Sequence, residues 1–138
     1  MSTSTIKLRV ADVMLPLTRM PVVKPMTLLK ATLAEMTHHK LGIACIVDEQ
    51  GRLVGIFTDG DVRRMLLRDQ KPFPALFADD IIVHATREPT TVDTGSSLAD
   101  ALATMELKQI WDLPVIDPGG KLAGLLHLHP AIKAVMGL

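Results

Sequence analysis

The sequence contains few of the residues that mark secreted or nucleic-acid-binding proteins. It has one cysteine and no tyrosine, and aromatic residues make up 3% of its 138 residues. A lone cysteine cannot form an intrachain disulfide, and Cys45 stands in an apolar run, so we expect a buried thiol in a reducing compartment. The scarcity of aromatic rings disfavours a platform on which the bases of single-stranded nucleic acid would stack.

Charge of one sign and long apolar runs are also missing. Basic residues number 15 and acidic residues 15, so the formal net charge is zero, which disfavours a broad surface for nucleic acid or anionic membrane. No apolar run approaches the roughly 20 residues of a membrane span, and residues 1–10 lack the apolar segment of a signal peptide. The sequence therefore predicts a soluble cytoplasmic protein with no nucleic-acid or membrane partner.

What the sequence does contain is a duplication with an offset of 69 residues. The two copies align without a gap over residues 29–64, and the identities fall on apolar residues and turn glycines, which a repeated fold needs at the same places. The identical pairs include Leu29 and Leu98, Leu33 and Leu102, Met36 and Met105, Gly51 and Gly120, and Gly55 and Gly124. Upstream, "VADVM" at 10–14 matches "FADDI" at 77–81 with an offset of 67.

Each copy has the same predicted order of elements, β-α-β-β-α. A short extended piece (21–24 or 89–93) precedes an amphipathic helix, which we expect Thr27 to cap in the first copy and a Ser97–Asp100 capping box to begin in the second. A hairpin with a glycine-containing turn follows, "IACIVDEQGRLVGIF" or "LPVIDPGGKLAGLLH". The last element is a helix, "DGDVRRMLLRD" or "HPAIKAVMG".

The sequence therefore predicts an α+β (α/β) chain made of two β-α-β-β-α repeats. Because about 60 residues alone bury little surface, we expect the repeats to pack sheet to sheet as a pseudo-symmetric pair. The predicted divisions are a lead-in at 1–9, a first repeat at 10–70, a linker at 71–76 and a second repeat at 77–138.

The string "GIFTDGDVRR" at 55–64 places polar residues where a strand passes into the last helix of the first copy. Thr58 and Asp61 have the spacing of a capping box, in which case their role is structural. The same helix start offers unpaired backbone N–H groups to a phosphate, in which case the two residues belong to a binding site. The two interpretations are compatible, since a capped helix end also binds ligands.

The residues around this pair extend the candidate site. Asp59 lies at the same helix start, and Gly60 leaves room for a closely approaching ligand. Arg63 is a candidate for contact with a second phosphate or a carboxylate. For Arg64 we expect an ion pair with Asp59 or Asp69 on a solvated face.

The second copy changes the polar residues. His127 stands at the position of Thr58, and Pro130, which has no acceptor side chain and no N–H, stands at the position of Asp61. We therefore predict that the second copy does not bind a ligand in the same manner. His127 and His129 share one face if they lie on a strand, which makes them weak candidates for a metal, but no third ligand is near in sequence and no metal is predicted.

The sequence offers no catalytic set. Nothing moves the pKa values of Asp59 and Asp61 apart for acid–base chemistry, no histidine accompanies Cys45 as a base, and there is no phosphate loop of the Gly-x-x-x-x-Gly-Lys type. Trp111, the only indole, is predicted to pack at a helix end. We expect no enzyme activity from these residues and no required cofactor.

The tandem repeat and its glycine-rich motif resemble a pair of cystathionine-β-synthase (CBS) domains, often called a Bateman module. The family's signature is Gly-apolar-apolar-Thr/Ser-x-x-Asp, and the resemblance covers nearly all of residues 10–137. The signature is met by Gly55, Ile56, Phe57, Thr58 and Asp61.

This resemblance implies specific roles at the site. Thr58 would contact a phosphate, and Asp61 would accept hydrogen bonds from the two hydroxyls of a ribose. The start of the first hairpin strand, at Leu41, Gly42 and Ile43, would present its backbone to the base.

The strings "LRVADVM", "LVGIFTDGDVRR" and "GLLHLHPAIKAVMGL" are similar to the regulatory tail of bacterial arabinose-5-phosphate isomerases. Those enzymes interconvert ribulose 5-phosphate and arabinose 5-phosphate for the Kdo of lipopolysaccharide. The resemblance implies a non-catalytic module that binds CMP-Kdo, AMP or ATP, regulates a sugar-isomerase domain not included in these residues, and forms a homodimer through apolar helix faces. The alternative is a dimerisation scaffold whose ligand cleft is vestigial.

Overall fold

The computed structural model describes residues 7–137. Its strands are β1 (Leu15–Pro16), β2 (Val22–Val23), β3 (Ile43–Val47), β4 (Leu53–Thr58), β5 (Val92–Asp93), β6 (Asp112–Ile116) and β7 (Leu122–His127). Its helices are α1 (Leu29–His39), α2 (Asp59–Arg68), α3 (Phe73–Phe77), α4 (Leu98–Lys108) and α5 (Leu128–Val135), with 3-10 turns at Val10–Asp12, Leu17–Arg19 and Ile81–His84. The predicted β-α-β-β-α order is confirmed as β2-α1-β3-β4-α2 and β5-α4-β6-β7-α5, and α3 begins within the residues predicted as a linker.

One compact unit comprises residues 18–89. Its sheet has the order β2-β3-β4, with β2 parallel to β3 and β3 antiparallel to β4, as expected for a helical crossover followed by a hairpin. Every residue of β3 is buried, including Cys45 as predicted. The core consists of Val23, Leu29, Met36, Ala44, Ile46, Phe57, Met65, Leu76 and Ile81.

The second compact unit combines the residues up to 17 with those from 90 onward. Its sheet has the order β1-β7-β6-β5, in which β5 is parallel to β6 and the other pairs are antiparallel. The core consists of Val10, Leu98, Ala101, Met105, Leu113, Val115, Leu126 and Ala131. The second repeat of the sequence thus shares its core with the N-terminal segment.

A segment that precedes one repeat in sequence completes the unit of the other. In the unit of residues 18–89, the Leu29 N–H donates to the Asp79 carbonyl (2.9 Å) and the Ile81 N–H donates to the Thr27 carbonyl (2.7 Å). The segment at the start of the predicted second repeat is therefore held against the start of α1, in the first repeat.

The other unit has the same arrangement with the N-terminal segment. The Leu98 N–H donates to the Leu8 carbonyl (2.9 Å), and the Val10 N–H donates to the Ser96 carbonyl (2.9 Å). Compact units and sequence repeats are therefore divided at different places, and the predicted limits of the repeats stay predictions.

These hydrogen bonds correct the predicted upstream alignment. The helix starts they join differ by 69 residues, but Val10 and Ile81 take equivalent places and differ by 71. The offset of 67 predicted from "VADVM" and "FADDI" is therefore wrong by four residues. It aligned exposed residues such as Ala11 and Asp12, whereas the register is set by Val10 and Ile81, which are both fully buried.

The glycines shared by the two hairpins are explained by the same segments. A Cβ at Gly124 would overlap the carbonyl oxygen of Leu15, the residue that pairs β1 with β7. In the other unit a Cβ at Gly55 would lie 3.0 Å from the carbonyl oxygen of Thr86, which forms a backbone bridge with Ile56. Glycine is needed at both positions because a preceding segment crosses the hairpin closely.

The two amphipathic helices begin differently. Ser97 caps α4 as predicted, since its hydroxyl accepts a hydrogen bond from the Asp100 N–H (3.1 Å). The predicted capping of α1 by Thr27 is wrong, because the N-cap residue is Leu28 and the Thr27 hydroxyl accepts from the Lys24 N–H instead (3.1 Å).

Two further predictions concern the surface. Within residues 7–137, no helix has the length and apolar character needed to cross a membrane. Trp111 is 69% exposed, so the predicted packing role of its indole is wrong.

Candidate functional site

The candidate site is built at the junction of β4 and α2. The Asp61 N–H donates to Thr58 Oγ1 (3.2 Å), while the Thr58 N–H donates to Asp61 Oδ2 (2.9 Å). The Thr58 hydroxyl also donates to Asp61 Oδ2 (3.1 Å). This reciprocal pair is the predicted capping box, and it fixes the carboxylate within the first turn of the helix.

The second oxygen of the same carboxylate accepts from two other side chains. Arg64 Nη2 lies 2.7 Å from Asp61 Oδ1, and the Thr86 hydroxyl donates to the same oxygen at 3.0 Å. Asp61 is only 5% exposed, so four donors surround a nearly buried anion. The predicted ion pair of Arg64 with Asp59 or Asp69 is wrong, because the guanidinium reaches back one turn to Asp61.

Thr86 was missed in the sequence. It lies 25 residues from Asp61, in the segment that precedes the second repeat, and its contact depends on the bridge between Thr86 and Ile56. The signal was present in the correct upstream offset of 71, which makes Thr86 equivalent to Leu15. Leu15 pairs with Leu125 across β1 and β7, and Leu125 is equivalent to Ile56.

Gly60 makes room for the guanidinium of Arg64. A Cβ at residue 60 would lie 3.2 Å from Arg64 Nη1, 3.3 Å from Nη2 and 3.5 Å from Thr58 Oγ1. The free space that the sequence predicts above Gly60 therefore holds this side chain. Arg63 is exposed, and its guanidinium has no hydrogen bond or ion pair within the part of the chain that the structure describes.

The remaining predicted residues lie on the other side of the helix start. Asp59 is exposed, its N–H donates to the Gly42 carbonyl (3.0 Å), and its carboxylate lies against Gly42, where a Cβ would be 2.5 Å from Oδ2. Ile43 is buried and pairs with Thr58 across the hairpin. An open pocket of about 420 Å³ is lined by Leu33, Met36, Thr37, Lys40, Leu41, Gly42 and Asp59.

The equivalent junction in the other unit has different chemistry. His127 ends β7, and its Nδ1 lies 2.7 Å from Asp112 Oδ1, while His129 and Pro130 lie in the first turn of α5. The premise that His127 and His129 share a strand face is wrong. Among residues 7–137 no three His, Cys, Asp or Glu residues are grouped to hold a metal ion.

A second polar cluster, unpredicted from the sequence, lies in the unit of residues 18–89. The side chain of His84 is 1% exposed, and its Nε2 donates to Asp79 Oδ2 (2.9 Å) while its Nδ1 faces Arg68 Nη2 (3.2 Å). Lys71 Nζ lies 2.8 Å from Asp79 Oδ2, and Arg68 Nε lies 2.9 Å from Asp69 Oδ1.

The cluster shifts the ionisation of its members. Hydrogen bonds from Lys71 and then His84 hold the pKa of Asp79 below its ordinary value. The hydrogen bond from Arg68 lowers the pKa of Asp69, and the same bond raises the pKa of Arg68. The cluster joins the end of α2 to the segment at 79–84, which makes it a structural clamp of this unit.

Comparisons with known proteins place these features in a family. The CBS domain family matches residues 10–68 and 78–136. The arabinose 5-phosphate isomerase KdsD of Yersinia pestis is 36% identical over 127 residues, which are 92% of this chain and 37% of the relative. KdsD of Pseudomonas aeruginosa is 37% identical over 127 residues, 92% of this chain and 38% of the relative. The chain thus spans less than two fifths of the length of these relatives.

A solved structure supports the same assignment. CBSX2, a CBS-pair protein of Arabidopsis thaliana, has been solved in complex with AMP. That structure matches with a TM-score of 0.81 and 27% sequence identity over 94% of this chain and 96% of CBSX2. The predicted resemblance and fold class are confirmed, and the chain belongs to the CBS-domain family as a pair of CBS repeats.

Proposed function

We propose that this CBS pair is a non-catalytic sensor that binds a nucleotide or nucleotide-sugar at the junction of β4 and α2 and regulates an arabinose-5-phosphate isomerase domain. The observation that carries the proposal is the carboxylate of Asp61, held in the first turn of α2 beside Thr58. Its support comes from identity to KdsD enzymes and from the likeness to CBSX2, which was solved with AMP.

Each site residue has a role in the proposal. The Thr58 hydroxyl turns from Asp61 to donate to a phosphate oxygen, and the N–H groups of the helix start add a partial positive charge. Asp61 accepts from two ribose hydroxyls, because a carboxylate offers acceptors only. The backbone at Gly42 and Ile43 faces the base. Gly60 lets the ligand approach.

Two further predicted residues are assigned less directly. Asp59 borders the site from the side of the open pocket, where it is placed to accept from a hydroxyl of the ligand. Arg63, which is exposed in the next turn, stays a candidate for a second phosphate or a carboxylate group.

The ligand we propose is either CMP-Kdo, as the end product of a pathway that uses arabinose 5-phosphate, or an adenine nucleotide such as AMP or ATP. In the first case the module is a feedback sensor of lipopolysaccharide synthesis in the cytoplasm. Regulation requires that the ligand bind one conformational state of the complete enzyme more tightly than another. A base wall made of backbone accommodates either cytosine or adenine.

We also propose that the module forms a homodimer. Large apolar side chains are exposed on the final helix of each repeat and just after it: Leu66 and Leu67 in one, Ile132 and Met136 in the other. Contiguous apolar helix faces of this kind commonly pair with a second copy. Sedimentation velocity tests this directly, and a monomer at tens of micromolar contradicts it.

Calorimetry on the whole chain tests the sensor. AMP, ATP, CMP and CMP-Kdo are titrated into the parent, into Asp61→Asn and into Pro130→Ala, which alters the equivalent residue of the other repeat. We expect at least one ligand to bind the parent and Pro130→Ala alike, and to lose at least tenfold in affinity in Asp61→Asn, because a diol loses a charged acceptor. Thermal unfolding confirms that both variants fold.

The isomerase connection has its own test. The chain is mixed with the catalytic domain of a KdsD enzyme, and the interconversion of ribulose 5-phosphate and arabinose 5-phosphate is followed with and without the ligand found by calorimetry. A ligand-dependent change in rate is the expected result. Turnover by the chain alone would contradict its non-catalytic role.

A second candidate function is a dimerisation scaffold with a vestigial cleft. It is favoured by one observation, that all the donors around Asp61 come from the protein itself. The absence of binding heat for every ligand of the panel at millimolar concentration, together with a dimer, would establish the scaffold and remove the sensor.

A further inference from the structure

The carboxylate of Asp61 has no acceptor position to spare. A carboxylate offers about four lone-pair sites, and four donors already use them, two at each oxygen. Oδ2 accepts from the backbone and the hydroxyl of Thr58, and Oδ1 accepts from Arg64 and Thr86. A ligand that binds its hydroxyls to Asp61 must therefore displace donors that the protein supplies.

The donors differ in how readily they leave. The Thr58 N–H belongs to the capping box and cannot leave without opening the first turn of α2. The backbone of Thr86 is fixed by two hydrogen bonds to Ile56 (2.8 and 2.9 Å), so only its hydroxyl can turn away. Arg64, in contrast, has a side chain that is 61% exposed, and exposed ion pairs contribute little to stability.

The displaced guanidinium stays beside the helix start. It lies over Gly60, with Nη1 and Nη2 at 3.2 and 3.3 Å from the place of a Cβ, and its stem is anchored one turn into α2. A planar guanidinium with several donors binds phosphate bidentately. Arg64 therefore exchanges one anion for another when the incoming ligand carries a phosphate, and it is left without a partner when the ligand carries none.

We propose that Arg64 is the specificity residue of this site: it occupies Asp61 in the empty site, moves to the ligand's phosphate on binding, and so selects nucleotides over nucleosides. The inference rests on the proposed function. The equivalent residue of the other repeat is Lys133, next to a proline in place of Asp61, so the exchange is confined to the unit of residues 18–89.

The test compares paired ligands that differ by one phosphate. AMP and adenosine, and separately CMP and cytidine, are titrated into the whole chain by calorimetry. The variants are the parent, Arg64→Gln, and the matched control Arg52→Gln. Arg52 carries the same charge in the hairpin turn at the far end of β4, roughly 20 Å from Thr58 for a six-residue strand. The readout is the ratio of nucleotide affinity to nucleoside affinity, and glutamine keeps helix propensity so that α2 is preserved.

We expect Arg64→Gln to weaken nucleotide binding about tenfold, as for the loss of one charge-assisted pair. Nucleoside binding should be unchanged or stronger, because the competitor for Asp61 is gone. The affinity ratio should fall at least tenfold in Arg64→Gln and less than twofold in Arg52→Gln. Thr86→Val removes the uncharged competitor and should strengthen both ligands together, with the ratio unchanged.

The possible failures are distinguishable. If the parent binds nucleotide and Arg64→Gln keeps the same affinity ratio, the role of Arg64 is wrong while the sensor stands. An equal fall of the ratio in Arg52→Gln assigns the effect to general charge and also overturns the role of Arg64. If the parent binds neither nucleotide nor nucleoside at millimolar concentration, the proposed function fails, and the inference fails with it.

Discussion

The two units of the chain keep one framework and differ in the chemistry at one junction. In both, a preceding segment crosses the hairpin at a glycine, Gly55 or Gly124, where a Cβ has no room. At the junction of the last strand and the last helix, one unit has a buried carboxylate with four donors, and the other has Pro130 at that place. Packing constrains the glycines in both units, whereas a ligand constrains the junction only in the unit that binds one.

The junctions also differ in a coordinated way. Ile43 pairs with Thr58 across one hairpin, and Asp112 pairs with His127 at the same register of the other. A half-buried histidine needs an acceptor, and Asp112 supplies it at 2.7 Å. The replacement of threonine by histidine is therefore accompanied by the replacement of its cross-strand neighbour.

Removal of the carboxylate gives the largest expected difference between the units. Asp61→Ala takes away the cap of α2 and leaves Thr58 N–H, Arg64 and Thr86 without their acceptor. We expect the free energy of unfolding to fall by about 3 kcal/mol, measured by urea denaturation. Pro130→Ala, at the equivalent place of the other unit, should change it by less than about 1 kcal/mol. Equal losses in the two variants would show that the junctions are structurally interchangeable.

The hairpin glycines give a smaller difference of opposite order. Gly124→Ala forces a Cβ onto the carbonyl of Leu15, which is backbone and cannot rotate away, and we expect a loss of about 2 kcal/mol. Gly55→Ala meets the carbonyl of Thr86 at 3.0 Å and should lose about 1 kcal/mol. Circular dichroism during thermal unfolding ranks the two variants, and a ranking with Gly55→Ala lower would contradict the closer crossing in the β1 unit.

Local patterns were sufficient to predict most of the framework. Hairpin runs, helix periodicity and the Thr58–Asp61 spacing each involve residues close in sequence, and each is confirmed. Contacts made across the exchanged segments were not predicted, because an identity match of exposed residues concealed the register set by Val10 and Ile81. The missed donor Thr86 follows from that error, since only the correct offset brings it beside β4.

The candidate site was predicted in its residues but not in its present bonding. The sequence shows that Asp61 accepts, but it does not show which donors arrive first. Arg64 was expected to pair with Asp59 or Asp69, and its choice of Asp61 depends on Gly60, which lets the guanidinium lie across the helix start. Asp69 instead belongs to the cluster around His84, whose members come from three separate elements and share no spacing that a sequence pattern could reveal.

A residue exchange between the hairpins sharpens the comparison further. His127→Thr and Asp112→Ile each bring one residue of the first unit into the second, and the double variant recreates the pair of Thr58 and Ile43. Each single change leaves its former partner without the hydrogen bond, so the double variant should be more stable than additivity predicts by about 1 kcal/mol. Urea denaturation of the four proteins in the cycle measures this, and strict additivity would mean that the 2.7 Å contact contributes nothing to folding.

The preceding segments give the smallest and most specific difference. In one unit the segment is held by the ionic cluster of His84 and Asp79, while the equivalent places of the other unit hold Val13 and Leu8, which pack against its core. The pKa of Asp79 is lowered in the folded protein, so its ionised form stabilises the fold at neutral pH. That contribution is lost as the pH falls below about 4 toward the folded pKa. The stability difference between the parent and Asp79→Asn should therefore shrink between pH 7 and pH 3, whereas the difference between the parent and Val13→Ala should stay constant. Thermal unfolding across this range measures both, and a constant difference for Asp79→Asn would show that the cluster does not hold the segment through charge.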